Sequence, residues 1–221
     1  MCNMFRTLRA DEIDARIGQV GKGYVTLLLY KDARCDQNIL DETVGPMNWQ
    51  RSHGRDNANC VVSIWDETKQ QWISKEDVGT ESKTEAEKGL ASDSFKRACF
   101  NWGIGRELYT APFIWVPATE CKIVPKGQGF TCYDRFYVAE IGYDDKRRIN
   151  HLIVNHGKTK KTVFALIANT TPANQLQKDI LKKMCEKKGI DINQWLARSG
   201  KSLETLTEDD VGKMQQYLKD R

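Results

Sequence analysis

Residues 77–103, DVGTESKTEAEKGLASDSFKRACFNWG, decide the fold more than any other stretch of this 221-residue chain. Ser82 and Glu85 stand in the S-x-x-E spacing, in which hydroxyl and carboxylate each satisfy an orphan backbone N–H of a first helical turn. The helix is therefore expected to begin near Lys83. Ala86, Leu90, Ala91, Phe95, Ala98, Cys99 and Trp102 then recur at helical spacing and form one apolar stripe. Gly103 is placed to end the helix in left-handed backbone. Glu85, Lys88, Ser92 and Lys96 share the opposite face, with Lys96 pointing outward, and Arg97 follows Asp93 by one turn. Periodicity alone reads that face as solvated, with Asp93 and Arg97 as an intrahelical pair worth about 0.2–0.5 kcal/mol.

Upstream, residues 49–55, 60–65 and 71–78 read as strands, the last two joined by the polar turn 66–70, and make an antiparallel meander running into the helix. Before them, residues 10–19 read as a short helix, 24–30 as an apolar strand and 32–44 as a helix. Downstream, 113–116, 121–124, 136–141, 151–154 and 162–167 read as further strands whose order is not legible. The expected class is α+β: an antiparallel sheet or meander packed on one long central helix. The turn-like stretch NTTPAN, residues 169–174, separates a domain at 1–170 from a helical module at 171–221. In that module Leu176, Ile180, Leu181, Met184 and Cys185 keep helical spacing, 190–196 suggests a second helix, and Leu203, Leu206, Val211, Met214, Tyr217 and Leu218 a third. Thr207 is a suitable cap for the last.

Asp93-Ser94-Phe95-Lys96-Arg97-Ala98, preceded by Asp77-Val78-Gly79 and followed by Trp102-Gly103, resembles the signature helix of the Rad-fifty-two type single-strand annealing proteins, phage members in particular. A second block resembles the same family. Tyr30-Lys31-Asp32-Ala33-Arg34 leads into a helix ending in Gly45-Pro46-Met47-Asn48-Trp49, the family's Gly-x-x-x-Trp turn. The two blocks lie in the family's order and cover residues 24–117. The resemblance implies ATP-independent binding of single-stranded DNA and annealing of complementary strands in recombination and repair, by a homo-oligomeric ring with no cofactor and no bond-making chemistry. It also implies that Lys96 and Arg97 line a groove for the DNA backbone, and that Arg34 on the preceding helix faces it. Lys88, Arg55 and Arg106 complete the candidate DNA-binding set. The link between Val78-Gly79 and the helix is shorter than in eukaryotic members, so the resemblance does not extend to a second DNA-contact surface there. Helical ends on phage recombination proteins dock onto other proteins, which implies that 171–221 binds a partner such as a single-strand binding protein or an exonuclease.

Composition sets weaker bounds. A net charge of +4 mildly favours an anionic partner. Between Lys122 and Lys161 nine lysines and arginines face four carboxylates, a run that fits either DNA contact or hairpin turns kept soluble by lysine. Seven cysteines without a C-x-x-C pair point to neither zinc nor a disulfide framework, and so to a reducing compartment. No apolar run approaches the roughly 20 residues of a membrane span, and the N-terminus lacks a signal-peptide core, so a cytoplasmic protein away from membranes is expected. No nucleotide-cradling loop is present, and Gly103-Ile104-Gly105 follows a helix and lacks a third glycine.

Two rival readings remain at this level. Glu120-Cys121-Lys122 on an expected strand, with Glu107, has the E-x-K form of magnesium-dependent nucleases, although such a tripeptide is common by chance. A recombination or replication scaffold without DNA binding is the other. His53, His151 and His156 share no ligand spacing and read as surface or turn residues, while Trp65, Trp102 and Trp115 sit in apolar patterns and read as core. No base-stacking residue is named by sequence.

Overall fold

The structure, a computed structural model, describes residues 4–80, 86–167, 171–198 and 201–219. The expected cap at Ser82 and Glu85 lies outside the described residues. Two compact units are formed, Met1–Leu166 and Ile167–Arg221.

The first unit begins with a correction. Residues 10–19 are not a helix: Ala10–Glu12 makes one 3-10 turn, and β1 (Ile13–Val20) follows as a strand. Ile13 and Ala15 are buried while Asp14 and Arg16 face out, so the two-residue period prevails over helical spacing. Gly21-Lys22-Gly23 turns the chain into β2 (Tyr24–Lys31), pairing Val20 with Val25. Asp32 then caps α1 (Ala33–Val44), its carboxylate accepting from the Arg34 N–H at 2.7 Å. Gly45, at φ +84°, ends the helix. The indole N–H of Trp49 donates back to Asp41 at 2.6 Å, which fixes the turn.

A three-stranded antiparallel meander comes next: β3 (Trp49–Gly54), β4 (Asn59–Asp66) and β5 (Gln71–Val78). Cys60, Val62 and Ile64 of β4 are buried in the same core as Phe95, Ala98 and Cys99 of α2 (Ala86–Trp102), which packs on β4 and β5. The Trp102 indole donates to the Val62 carbonyl at 3.1 Å. Where β5 meets α2 no side chain fits. A Cβ on Gly79 would lie 2.6 Å from the Ser94 nitrogen and 2.9 Å from the Leu90 oxygen, both backbone atoms. The Val78-Gly79 turn is therefore dictated by contact with the helix. Gly103, at φ +94°, follows the last helical turn.

Beyond a 3-10 turn at Arg106–Thr110 come β6 (Ile114–Pro117), the hairpin β7 (Ile123–Lys126) and β8 (Gly129–Cys132), then β9 (Phe136–Tyr143), β10 (Ile149–His156) and β11 (Thr162–Leu166). The main sheet is antiparallel with the order β11-β10-β9-β1-β2-β6. A buried carboxylate in the 3-10 turn ties the segment before β1 to the β9–β10 turn. Glu107 accepts from the Leu8 N–H at 2.8 Å and from Arg147 at 3.2 Å, while Arg147 also donates to the carbonyls of Phe5 and Arg6.

The second unit holds α3 (Gln175–Lys187), α4 (Ile192–Arg198) and α5 (Glu208–Lys219) around Leu181, Cys185, Leu196, Leu206, Val211 and Leu218. Thr207 and Asp210 cap α5 reciprocally, the Asp210 N–H donating to the Thr207 hydroxyl and the Thr207 N–H to the Asp210 carboxylate. Leu176 and Ile180, expected in the buried stripe, are exposed instead, and Leu203 and Leu206, expected on the third helix, lie in the turn before it.

Candidate functional site

The face of α2 that carries Asp93, Lys96, Arg97 and Phe100 opens into a cleft of about 600 Å³, walled by β2 and by residues 108–114. α2 is held rigidly at this point. Phe95 and Cys99 are fully buried on its other side, and the buried Ser94 hydroxyl donates to the Asn57 carbonyl at 2.9 Å. That carbonyl belongs to a turn in which Arg55, Asp56 and Asn57 all have positive φ. Asp93 accepts from the Thr80 N–H at 2.9 Å.

Asp93 is thus not the partner of Arg97, contrary to the spacing. Arg97 lies 3.6 Å from Asp77 at the end of β5, and its Nε has no hydrogen-bond partner among the described residues. Asp77 is closer because β5 leads directly onto the helix through the tight Gly79 contact. Lys96 has no ion pair within 4 Å among the described residues, so its ammonium remains available inside the cleft.

A third cation forms part of the lining. Lys31, at the end of β2, is nearly buried, ion-paired to Asp36 of α1, and set 4.6 Å from the centre of the Phe100 ring. Gly105, at φ +71°, leaves room for its stem, since a Cβ there would fall 2.2 Å from Lys31 Cε. Burial pushes the Asp36 carboxyl up to about 6, although Lys31 and Lys96 pull it down. Its second oxygen has no hydrogen-bond partner among the described residues.

The other candidates are dispersed. Arg34 is exposed and clamped by Asp32, to which its Nε and Nη2 donate at 3.1 and 3.0 Å. That pairing holds the Asp32 carboxyl at about 2, with a smaller contribution from Lys96, which places Arg34, Asp32 and Lys96 in one electrostatic neighbourhood. Arg34 does not line the cleft. Arg106 caps the carboxyl end of α2 by donating to the Phe100 and Asn101 carbonyls, away from the lining. Arg55 stands in the strained β3–β4 turn. The Lys88 side chain lies outside the described residues.

The nuclease constellation is not assembled. Glu120 sits in an exposed bend before β7 rather than on a strand, Lys122 donates its backbone N–H to Asp134, and Glu107 is committed to Arg147 and Leu8. Of the histidines, His156 departs from expectation. It is buried at the end of β10 and accepts from the Lys158 N–H at 3.0 Å. The described cysteines are all buried and free, and burial pushes the Cys60 and Cys121 thiols up to about 11.

Sequence reasoning missed the cleft's aromatic wall. Tyr109 and Phe113 are 70% and 76% exposed, and Tyr109 meets Phe100 edge to face at 5.2 Å. Tyr30 adds to the same lining. The one available signal was two aromatic residues flanking a proline in a segment with no periodicity. Trp115, expected in the core, is 45% exposed and stacks on Tyr24.

Among known proteins, the chain is similar to the single-stranded DNA-binding protein DdrA of Deinococcus radiodurans, with 32% identity over 102 residues, covering 45% of this chain and 49% of the relative. The chain thus matches about half the length of that curated relative. No family model matches, and no solved structure matches. No helix among the described residues is long and apolar enough to cross a membrane.

Proposed function

We propose that this chain binds single-stranded DNA in the cleft beside α2 and promotes annealing of complementary strands without nucleotide hydrolysis. The observation that carries this reading is the pairing of Lys96, which has no ion pair among the described residues, with a weakly partnered Arg97 on a helix whose other face is locked into the core. Fixed cations of this kind neutralise phosphates without being reorganised on binding, and they recognise no sequence. The likeness to a single-stranded DNA-binding protein, and the resemblance of both sequence blocks to the Rad-fifty-two type annealing proteins, support the same ligand. In this reading the protein is not an enzyme. It works as a homo-oligomeric ring in recombination and repair in the cytoplasm, and the helical module recruits a protein partner.

The test uses the full chain, a labelled oligonucleotide and its complement. Lys96→Ala combined with Arg97→Ala should abolish annealing and weaken single-strand binding at least about tenfold at low salt. The slope of log affinity against log salt should flatten by about 1.4, from about 0.7 per lost phosphate contact. Melting should be unaffected, since neither side chain belongs to the buried core. Unchanged annealing in the folded double variant refutes the assignment.

A further inference from the structure

We infer that the wall facing Lys96 and Arg97 is a seat for a nucleobase: Phe100, Tyr109 and Phe113 take up the face of a base whose adjoining phosphate is held by the two cations. The inference rests on the reading that the cleft binds single-stranded DNA, and it adds which part of the strand enters. A site that gripped only the sugar-phosphate chain needs donors and water, not rings. Here two large aromatic side chains stand more than two-thirds exposed in the same cleft as the cations. Leaving that much apolar surface in water is unfavourable, and a π-face offered next to ammonium and guanidinium groups matches a nucleotide on both counts.

The geometry is built rather than incidental. Tyr109 is oriented by its 73° edge-to-face contact with Phe100, and Phe100 is itself fixed by the Lys31 ammonium above its ring. Pro112, immediately before Phe113, restricts the backbone of that segment, so little freedom is lost when a base is bound. The cleft, at about 600 Å³, is of the size that accommodates small planar ligands, typically about 300–1,000 Å³. Stacking is indifferent to base identity, so the seat would not impose a sequence code. A base lodged there is withheld from pairing. Annealing would then read the neighbouring bases and skip one at regular intervals along the strand.

The test measures affinity of the full chain for an oligothymidylate and for a strand of equal length with tetrahydrofuran abasic residues in place of the bases. The wild-type protein should prefer the base-bearing strand by roughly five- to a hundredfold, with the same salt slope for both. Tyr109→Ala with Phe113→Ala should erase that preference and leave abasic binding intact, whereas Lys96→Ala with Arg97→Ala should weaken both strands alike. Equal wild-type affinity for the two strands overturns the nucleobase seat and leaves the cationic groove standing. Failure of the wild type to bind either strand overturns both. If the aromatic double variant loses both strands equally and sediments as a smaller species, the wall is a contact between copies of the chain, and the inference fails.

Discussion

Lys96 and Arg97 on α2, and Arg147 and Arg148 in the turn between β9 and β10, are adjacent cations of the same formal charge, yet they differ in what already holds them. Arg147 is partly buried and paired to the buried Glu107, and Arg148 bridges Asp144 at 2.7 Å. Lys160, in the same basic run, lies over the Tyr137 ring. The run from Lys122 to Lys161 carries much of the chain's excess charge, and several of its members are committed to the fold. The α2 pair stands outside that run; among the described residues Lys96 has no ion pair and Arg97 has only the 3.6 Å contact with Asp77. A phosphate responds to donors that are not already satisfied, so local charge count is a poor guide to where an anion binds.

The sharpest way to break this contrast is to remove a committed cation. Arg147→Ala leaves the Glu107 carboxylate buried without its charge partner and should cost about 3–5 kcal/mol of stability, read by chemical denaturation. The fraction that remains folded should bind single-stranded DNA as the parent does. A fall in affinity comparable to that of the Lys96 variant would dissolve the distinction.

Lys31 sharpens the same contrast, because it lines the cleft yet is bound to Asp36. Asp36→Leu alone should cost about 3–5 kcal/mol, whereas Asp36→Leu with Lys31→Met should return to near the parental stability, because replacing a buried pair as a unit removes both desolvation penalties. pH provides an independent check. The Asp36 carboxyl is raised in the folded state, so the folded form holds a proton that the unfolded form has released. Its contribution is fully present below the ordinary carboxylate range and is lost as pH rises through about 6. The double variant should lack that decline. If it also lost DNA affinity, Lys31 would belong with Lys96.

How much of this was legible depended on whether neighbours along the chain or across it did the work. The α2 stripe and the meander follow from local spacing and the Gly-x-x-x-Trp turn from the family resemblance, and the structure realises them in Phe95, Ala98, Cys99 and Trp49. Residues 10–19 misled because Ala10, Ile13 and Ile17 fall at helical three- and four-residue steps while Ile13, Ala15 and Ile17 also keep a two-residue period, and only pairing with β2 decides between them. The cleft was half legible. Lys96 and Arg97 came from the resemblance, but the partner of Arg97 is set by a strand end 20 residues earlier, and Tyr109 and Phe113 reach the site through an irregular segment with no period to read. Glu107 looked like free chemistry in the sequence because its donor, an arginine 40 residues on, is non-local, and Arg106 because its acceptors are backbone carbonyls at the helix end, which no side-chain pattern reveals.

A smaller effect is expected at Asp77, whose carboxylate competes for Arg97. Asp77→Asn keeps an oxygen for the Val78 N–H while removing the charge. Single-strand affinity should rise about two- to threefold at low salt and the gain should fade as salt increases, since the pair is partly exposed and readily screened. No change, or a loss, would mean that Asp77 orients Arg97 rather than restrains it.

The smallest effect is expected at Arg34, where the resemblance and the structure diverge. The resemblance places an arginine of this helix in the groove; the structure clamps Arg34 to its own N-cap by two hydrogen bonds, with the guanidinium exposed and outside the cleft lining. Arg34→Ala should therefore change single-strand affinity by less than about twofold, the scale of a long-range surface charge. The clamp can be opened without losing the cap, because asparagine serves the Ncap position as well as aspartate does. In an Asp32→Asn background Arg34 is released, and its replacement by alanine should then lower affinity more than it does in the parent. Were Arg34→Ala alone to match the loss seen for Lys96, the two hydrogen bonds to Asp32 would have to break on DNA binding, and availability in the free protein would no longer predict which cations meet the strand.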